Sequence, residues 1–254
     1  VDTPVMPEPV SSPVIARDGT ARLCRCAKLG CGPNVAGLEP KMTIINGTSQ
    51  PKISTRNVTR VFRLATSAQV ADGLAWYDAA HGIAYALGET HGIGTNRAAG
   101  VLAALSPLRS WGDNVNLATR FIIAGGLSDG AFKLSLDKAQ AILDCDGDAA
   151  TIRAILNGNK TVSFFEGIRA NGMTDVVCID RHAYDVVTNT RHTDETRPSL
   201  SGKRYATAAD SYVRAARIIS KESGLSISPA QVQAITWVAW RSRYWADGAF
   251  DFKG

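Results

Sequence analysis

Leu156-Asn157-Gly158-Asn159-Lys160-Thr161, a helical stretch, and then Val176-Val177-Cys178-Ile179-Asp180-Arg181-His182 form the segment on which the reading of this chain turns. Gly158 marks a tight turn with a lysine almost directly behind it. Asp180 follows twenty positions after Lys160, at the end of a short apolar run, and His182 comes two residues later. A turn centred on Gly158 joins two short helices. It leaves backbone N–H groups without partners at the start of the second helix, residues 159–162. Those amides and the helix dipole favour a phosphate oxygen. Glycine has no Cβ, so a ligand can approach the backbone closely. Such contacts position a nucleic acid without reading its sequence. Gly158, Asn159 and Thr161 are therefore candidate DNA-binding residues, and Arg153 and Arg181 are candidate phosphate contacts nearby.

Lys160 falls in the first turn of the second helix, where the dipole disfavours an ammonium ion. Once desolvated, a neutral amine there can attack a sugar carbon and form a Schiff base. Asp180 falls at a helix start, where free N–H groups favour a carboxylate. An ionised aspartate near C1′ stabilises the oxocarbenium-like charge that develops as a base departs. Either residue alone reads as a surface lysine or a plain helix cap; the pair in this setting reads as a site.

Outward from this segment the pattern is helical. Thr66 or Ser67 caps a helix with Val70, Leu74, Tyr77, His81, Ala84 and Leu87 at three- and four-residue spacing, closed by Gly88. Thr95 caps a second helix, stopped by Pro107. A third spans residues 113–124 and ends at Gly125-Gly126. Ser135 and Asp148 cap two short ones, Asp180 caps another, and residues 208–223 make a long one after a polar loop at 190–203. Ser228-Pro229-Ala230-Gln231 is a capping box with proline at the first helical position, and the last helix runs to about residue 245. The fold class is mainly α. Residues 1–63, rich in Pro, Gly, Ser and Thr with short β-like pieces at 42–45 and 58–62, read as an irregular N-terminal extension. Residues 64–254 read as the helical domain, with room for two lobes around a cleft.

Two further stretches extend the pattern. Ala99-Gly100-Val101-Leu102-Ala103-Ala104-Leu105-Ser106-Pro107 is an apolar helix ending in a polar turn, and Leu136-Asp137-Lys138-Ala139-Gln140-Ala141-Ile142-Leu143 precedes the Gly158 turn. In this order and spacing the chain resembles the helix-hairpin-helix DNA glycosylases over roughly residues 95–189. The resemblance implies a glycosylase-like helical bundle that binds double-stranded DNA and turns one nucleotide out of the stack. It implies Lys160 and Asp180 as catalytic residues and His182 as their support. A pocket and a wedge are then needed: Trp76, Tyr77 and His81 are pocket candidates, and Trp111 is a wedge or stacking candidate. Aromatic residues at helical spacing also pack cores, and core packing is the expectation for Trp237 and Trp240; the other reading is that the polar face of their helix, with Gln231, Gln233, Thr236 and Arg241, lines a site. The chain departs from the family at two places. The usual hairpin, L-P-G-x-G-x-K, is here two residues shorter and lacks its second glycine. No cysteine follows Cys178, so the four-cysteine iron–sulfur pattern of some relatives is missing.

Charge and cysteines narrow the picture. Residues 1–63 hold nine Lys/Arg against four Asp/Glu, residues 64–150 five against nine, and residues 151–254 fourteen against ten. Basic ends around an acidic middle suit one phosphate-binding face, as they suit a solvated surface. Cys24, Cys26 and Cys31 are candidate zinc ligands, although paired C-x2-C spacing is absent; reduced thiols are the other reading. No cofactor is required by the proposed chemistry. No apolar run is long enough to span a membrane and the start lacks a signal-peptide core, so the expected location is cytoplasmic, in a host cell if the gene is a phage's. Three functions stay open: a DNA glycosylase with or without lyase activity; a glycosylase-fold enzyme that hypermodifies a thymine-derived base, as in phage systems; and a non-catalytic DNA-binding module.

Overall fold

The computed structural model describes residues 51–244. Ten α-helices follow one another there: α1 (Thr55–Leu64), α2 (Ser67–Thr90), α3 (Thr95–Leu105), α4 (Trp111–Ala124), α5 (Lys133–Asp144), α6 (Ala149–Leu156), α7 (Asn159–Arg169), α8 (Arg181–Thr188), α9 (Gly202–Ser223) and α10 (Pro229–Tyr244). No strand occurs among the described residues, and none of their helices is long and apolar enough to cross a membrane. The protein is mainly helical, as its periodicity predicts.

The helix starts follow their caps. Thr66 and Gln69 exchange hydrogen bonds as a reciprocal box, Gln69 N donating to Thr66 Oγ1 at 3.2 Å and Thr66 N to Gln69 Oε1 at 2.9 Å. Ser228 and Gln231 do the same at the start of α10, both bonds at 3.0 Å. Asp148 accepts from Ala150 N at 2.8 Å.

Several boundaries differ from the sequence reading. Residues 58–62 are helical, not β-like, so the irregular reading of 1–63 fails over Thr55–Leu64; residues 1–50 lie outside the described region. Valine and threonine are weak helix formers, but Val58, Val61 and Phe62 fall on one face and are buried. Tertiary packing there outweighs propensity. Ser135 does not cap α5: the helix starts at Lys133, and Ser135 N donates to Phe132 O inside the first turn. Ser110, whose hydroxyl accepts from Asp113 N at 3.2 Å, starts α4 at Trp111, before the expected position. The loop after α8 also gives way sooner, with α9 beginning at Gly202.

Two hydrophobic cores form. One gathers α1, Val70 of α2, the Val177–Ile179 segment, α8, α9 and most of α10. The other gathers the rest of α2, α3 to α7, and Ala230 and Ala234 of α10. At its centre α3 is buried on every side from Ala98 to Leu105, as its uniformly apolar sequence requires. Each fully buried Leu, Ile or Phe in these cores contributes roughly 1.5–3 kcal/mol. Only α2 and α10 serve both. They cross at Gly73, where a Cβ would lie 2.4 Å from Ile235 Cα; only glycine permits that approach. The seam between the cores thus runs along a rigid crossing, and the site lies on it.

Candidate functional site

Asp180 caps α8. Its Oδ1 accepts from Ala183 N at 2.8 Å, and its Oδ2 accepts from Trp237 Nε1 at 2.8 Å. Both oxygens of the carboxylate are held, one by its own helix and one by α10. The chain enters from Val177–Ile179, an extended segment with no neighbouring strand. Tyr205 of α9 does a strand's work instead: its hydroxyl accepts from Ile179 N at 3.0 Å and faces Val177 O at 3.0 Å and Asn159 O at 3.2 Å as donor. One phenol thereby ties the approach to Asp180 to the hairpin that carries Lys160.

That hairpin is the turn the sequence predicts. Asn157 ends α6 in the left-handed conformation, Gly158 precedes α7, and no side chain caps α7. Thr161 Oγ1 donates back to Gly158 O at 3.1 Å, and Lys138 Nζ donates to Leu156 O, holding the turn from behind. Asn159 and Lys160 are exposed. Cys178 lies between the two candidate catalytic residues and its Sγ donates to Lys160 O at 3.7 Å. Burial pushes its thiol up to about 12; the Lys160 charge pulls the other way and the Asp180 charge adds to the rise. The thiol is therefore protonated.

Aromatic rings wall the same seam. Trp76 sits 5.3 Å from Trp111, 5.8 Å from Phe164, 6.3 Å from Trp237 and 4.9 Å from Tyr77, centroid to centroid. Trp237 meets His182 edge-on at 5.7 Å, and the Arg241 guanidinium covers the Trp237 ring at 4.7 Å. Tyr77 is buried, with its hydroxyl 3.4 Å from Gln233 Oε1. Burial raises its pKa, and the neighbouring Cys178, Asp180 and Tyr205 reinforce the rise. His182 is held down to about 4, first by burial, against the pull of Asp180 and with the help of Arg181, Arg241 and Arg197. It is neutral at pH 7 and cannot act as a cation there. Arg181 Nε lies 3.4 Å from His182 Nε2, and Lys160 is exposed on α7.

The structure thus brings together Asp180, His182, Arg181, Trp76, Tyr77 and Trp111; Lys160 is tied to them through its backbone carbonyl, which meets Cys178 Sγ. Trp111 belongs to the aromatic wall; it does not project as a wedge. Leu108 projects instead, in the turn between α3 and α4: it is 88% exposed and its φ is 58°. Two candidates serve other ends. Arg153 Nε donates to Glu166 Oε1 at 2.6 Å, and Arg169 donates to the other oxygen at 2.8 Å; the group ties α6 to α7. Burial would raise the Glu166 carboxyl, but Arg169 and Arg153 outweigh it and hold it low. His81 places Nδ1 2.9 Å from Ile168 O, a tether of α2 to α7.

Sequence reasoning put core packing first for Trp237 and kept the polar face of its helix, with Gln233 and Arg241, as the second reading; it missed Tyr205 and Leu108. Gln233, Trp237 and Arg241 stand four residues apart on one stripe of the helix, and that spacing favours the second reading. Trp240 does pack in the core, 3% exposed. Cys24, Cys26 and Cys31 lie outside the described residues, and among those described no group of three or more His, Cys, Asp or Glu could hold a metal ion.

No curated protein and no solved structure matches the chain. Residues 41–244 match the family described as "Family of unknown function (DUF7178)", and the chain belongs to that family.

Proposed function

We propose that the seam is the working site of an enzyme of the helix-hairpin-helix DNA glycosylase type, acting on a base turned out of a DNA duplex. One observation carries the reading. A carboxylate fixed at both oxygens, by Ala183 N and Trp237 Nε1, stands beside a cluster of tilted and edge-on rings, with the Arg241 guanidinium over one of them. Rings accept the flat face of an extruded base, and cations accept the phosphates that flank it. As the C1′–N bond breaks, its electron pair leaves with the base; water then bonds to C1′, and the proton it sheds goes to the departing base. The positive charge left on the sugar is what an ionised, preorganised Asp180 stabilises. Leu108 is the candidate to fill the vacated stack, since an exposed leucine in a left-handed turn is costly to keep unless it is used.

Lys160 is exposed in the free protein. Amine chemistry there requires bound DNA to exclude water from it. This favours Asp180-centred chemistry over an obligatory Schiff base. It also suits the second reading, substitution on a thymine-derived base, which needs no sugar–lysine adduct.

The test incubates the protein with duplex DNA, traps with borohydride, and analyses released bases and nucleosides by mass spectrometry. Base release that is lost in Asp180→Asn, with duplex affinity kept, supports the glycosylase. A trapped adduct lost in Lys160→Ala adds lyase activity. Altered nucleosides without release favour the second reading. Full activity in Asp180→Asn would overturn the site, and binding with no change to any base would leave a DNA-binding module.

A further inference from the structure

Away from the cleft, α1 and α9 pack together in the first core and carry a charge that the chemistry at Asp180 does not use. α1 holds Arg56, Arg60 and Arg63 and no acid. On α9, Lys203, Arg204, Arg214, Arg217 and Lys221 outnumber Asp210 and Glu222. The middle of the chain, by contrast, is acidic, with five Lys/Arg against nine Asp/Glu over residues 64–150. The cations are also ordered. Arg56, Arg60 and Arg63 repeat at four- and three-residue steps, with Arg60 half-buried, and on α9 the same steps run through Lys203, Thr207, Asp210, Arg214, Arg217 and Lys221, all six exposed. Each spacing draws a single stripe along its helix. The Arg63–Glu222 pair, at 2.7 Å, joins the two helices near the far end of α9.

A solvated helix face normally intersperses acids at such steps, because like charges four apart repel. α1 has none, and Arg56, Arg60, Arg217 and Lys221 form no ion pair among the described residues. The two pairs that exist, Arg63–Glu222 and Arg214–Asp210, are about half exposed. Such pairs are weak and exchange readily for a phosphate.

Geometry supplies the occupant. Tyr205, in the first turn of α9, is bonded to the hairpin and to the approach to Asp180. From Tyr205 to Lys221 the helix advances 16 residues, about 24 Å at the rise of an α-helix. One turn of duplex DNA spans about 34–36 Å. We propose that the α1/α9 face is a second DNA-binding surface, which holds the phosphates of the duplex flank about two-thirds of a turn from the processed nucleotide. The proposal rests on the reading of the cleft as a DNA site. It adds that binding depends on duplex length and that the far contacts are electrostatic and blind to sequence.

The full chain is titrated by fluorescence anisotropy with duplexes of about 12 and about 30 base pairs over a range of salt. Replacing Arg214, Arg217 and Lys221 together by alanine should flatten the slope of log affinity against log salt by about 2–3 on the long duplex, at about 0.9 per phosphate contact. Affinity there should drop about tenfold or more, while the short duplex is bound and processed as before. Arg56→Ala with Arg60→Ala should flatten the slope by about 2 through different residues. Unchanged slopes on the long duplex in both variants overturn the proposal. So does equal loss on both lengths, and so does loss of binding to phosphatidylserine vesicles with DNA binding intact. If the slopes shift as stated while no base is processed, this face stands and the reading of the cleft as catalytic falls.

Discussion

At the start of α8, Asp180 caps the helix and Trp237 reaches across from α10 to hold the other carboxylate oxygen. At the start of α7, on the other side of Cys178, no side chain caps the helix and Lys160 lies open to water. Two helix N-termini face one seam. The first is completed from within the protein and presents a fixed anion. The second keeps free amides beside a mobile cation. A group that must stabilise a transient charge gains from being fixed in advance, whereas a group that receives phosphates gains from being left unsatisfied until DNA arrives. On the proposed reading, the difference assigns chemistry to the Asp180 side and grip to the Lys160 side.

The strongest way to break this division is to cut both sides and compare. Asp180→Asn keeps a good N-cap residue but removes the charge, so kcat should fall by about two to three orders of magnitude with duplex affinity nearly unchanged. Lys160→Ala should do the reverse, weakening affinity and flattening its salt dependence by about one phosphate equivalent. Single-turnover kinetics alongside equilibrium binding separate the two. Equal loss of kcat in both variants would mean that the lysine shares the chemistry.

Tyr205→Phe severs the link between the two sides. It strips the partner from Ile179 N and Val177 O, both buried, and from Asn159 O. Leaving such groups unsatisfied costs about 1–3 kcal/mol, readable as a lower midpoint in denaturant. The slack should also appear in kcat, because Asp180 lies one residue beyond Ile179. A stable variant with normal kcat would show that the two sides hold their places independently.

Trp237→Phe is milder. It keeps a ring beside Trp76 and His182 but withdraws the donor from Asp180 Oδ2. One charge-assisted hydrogen bond of about 1.5 kcal/mol corresponds to about tenfold in kcat, with binding left intact. A drop in affinity without a drop in kcat would assign Trp237 to the stacking wall alone.

How far these features were legible in the sequence follows from the range over which each is set. Caps are local, and Thr66, Asp148, Asp180 and Ser228 announce their helices in three or four residues. The Gly158 turn and the Lys160–Asp180 spacing are local as well, and the structure sets both residues around Cys178. What escaped depends on crossings. Trp237 meets Asp180 because α10 passes α2 at Gly73, and no pattern within residues 229–244 reveals that partner. Tyr205 likewise reads as one apolar helix position; its role exists only because an extended segment without strand neighbours runs beside it. Arg153 and His81 failed in the opposite sense. Both are polar residues close in sequence to the right elements, and the fold commits them to Glu166 and to Ile168 O. Residues 58–62 show the same limit, since their β-branched composition yields to the face they bury.

The gentlest test asks whether the Asp180 side is as dry as its fixed geometry implies. Asp185, one turn into α8, is wholly buried, and burial raises its carboxyl to about 7 against the nearby Arg197. The folded state therefore keeps a proton up to about pH 7 that the unfolded chain releases near its ordinary 3.8, so this group stabilises the fold as pH falls through that window. His182 works the other way. It is held to about 4 by burial, while the unfolded chain takes up its proton near 6.5, so its contribution is lost as pH falls from 6.5 towards 4. His192, lowered mainly by burial and then by Arg197, adds to the same loss. Between pH 4 and 6.5 the opposing slopes offset each other. Asp185→Asn should unmask the histidines and make Tm fall more steeply on acidification, and His182→Gln should flatten that fall, each by a fraction of the limiting value of about 1.4 kcal/mol per pH unit. Identical pH profiles in wild type and both variants would mean that water reaches α8 as freely as it reaches Lys160, and the contrast between the two helix starts would then rest on hydrogen bonds alone.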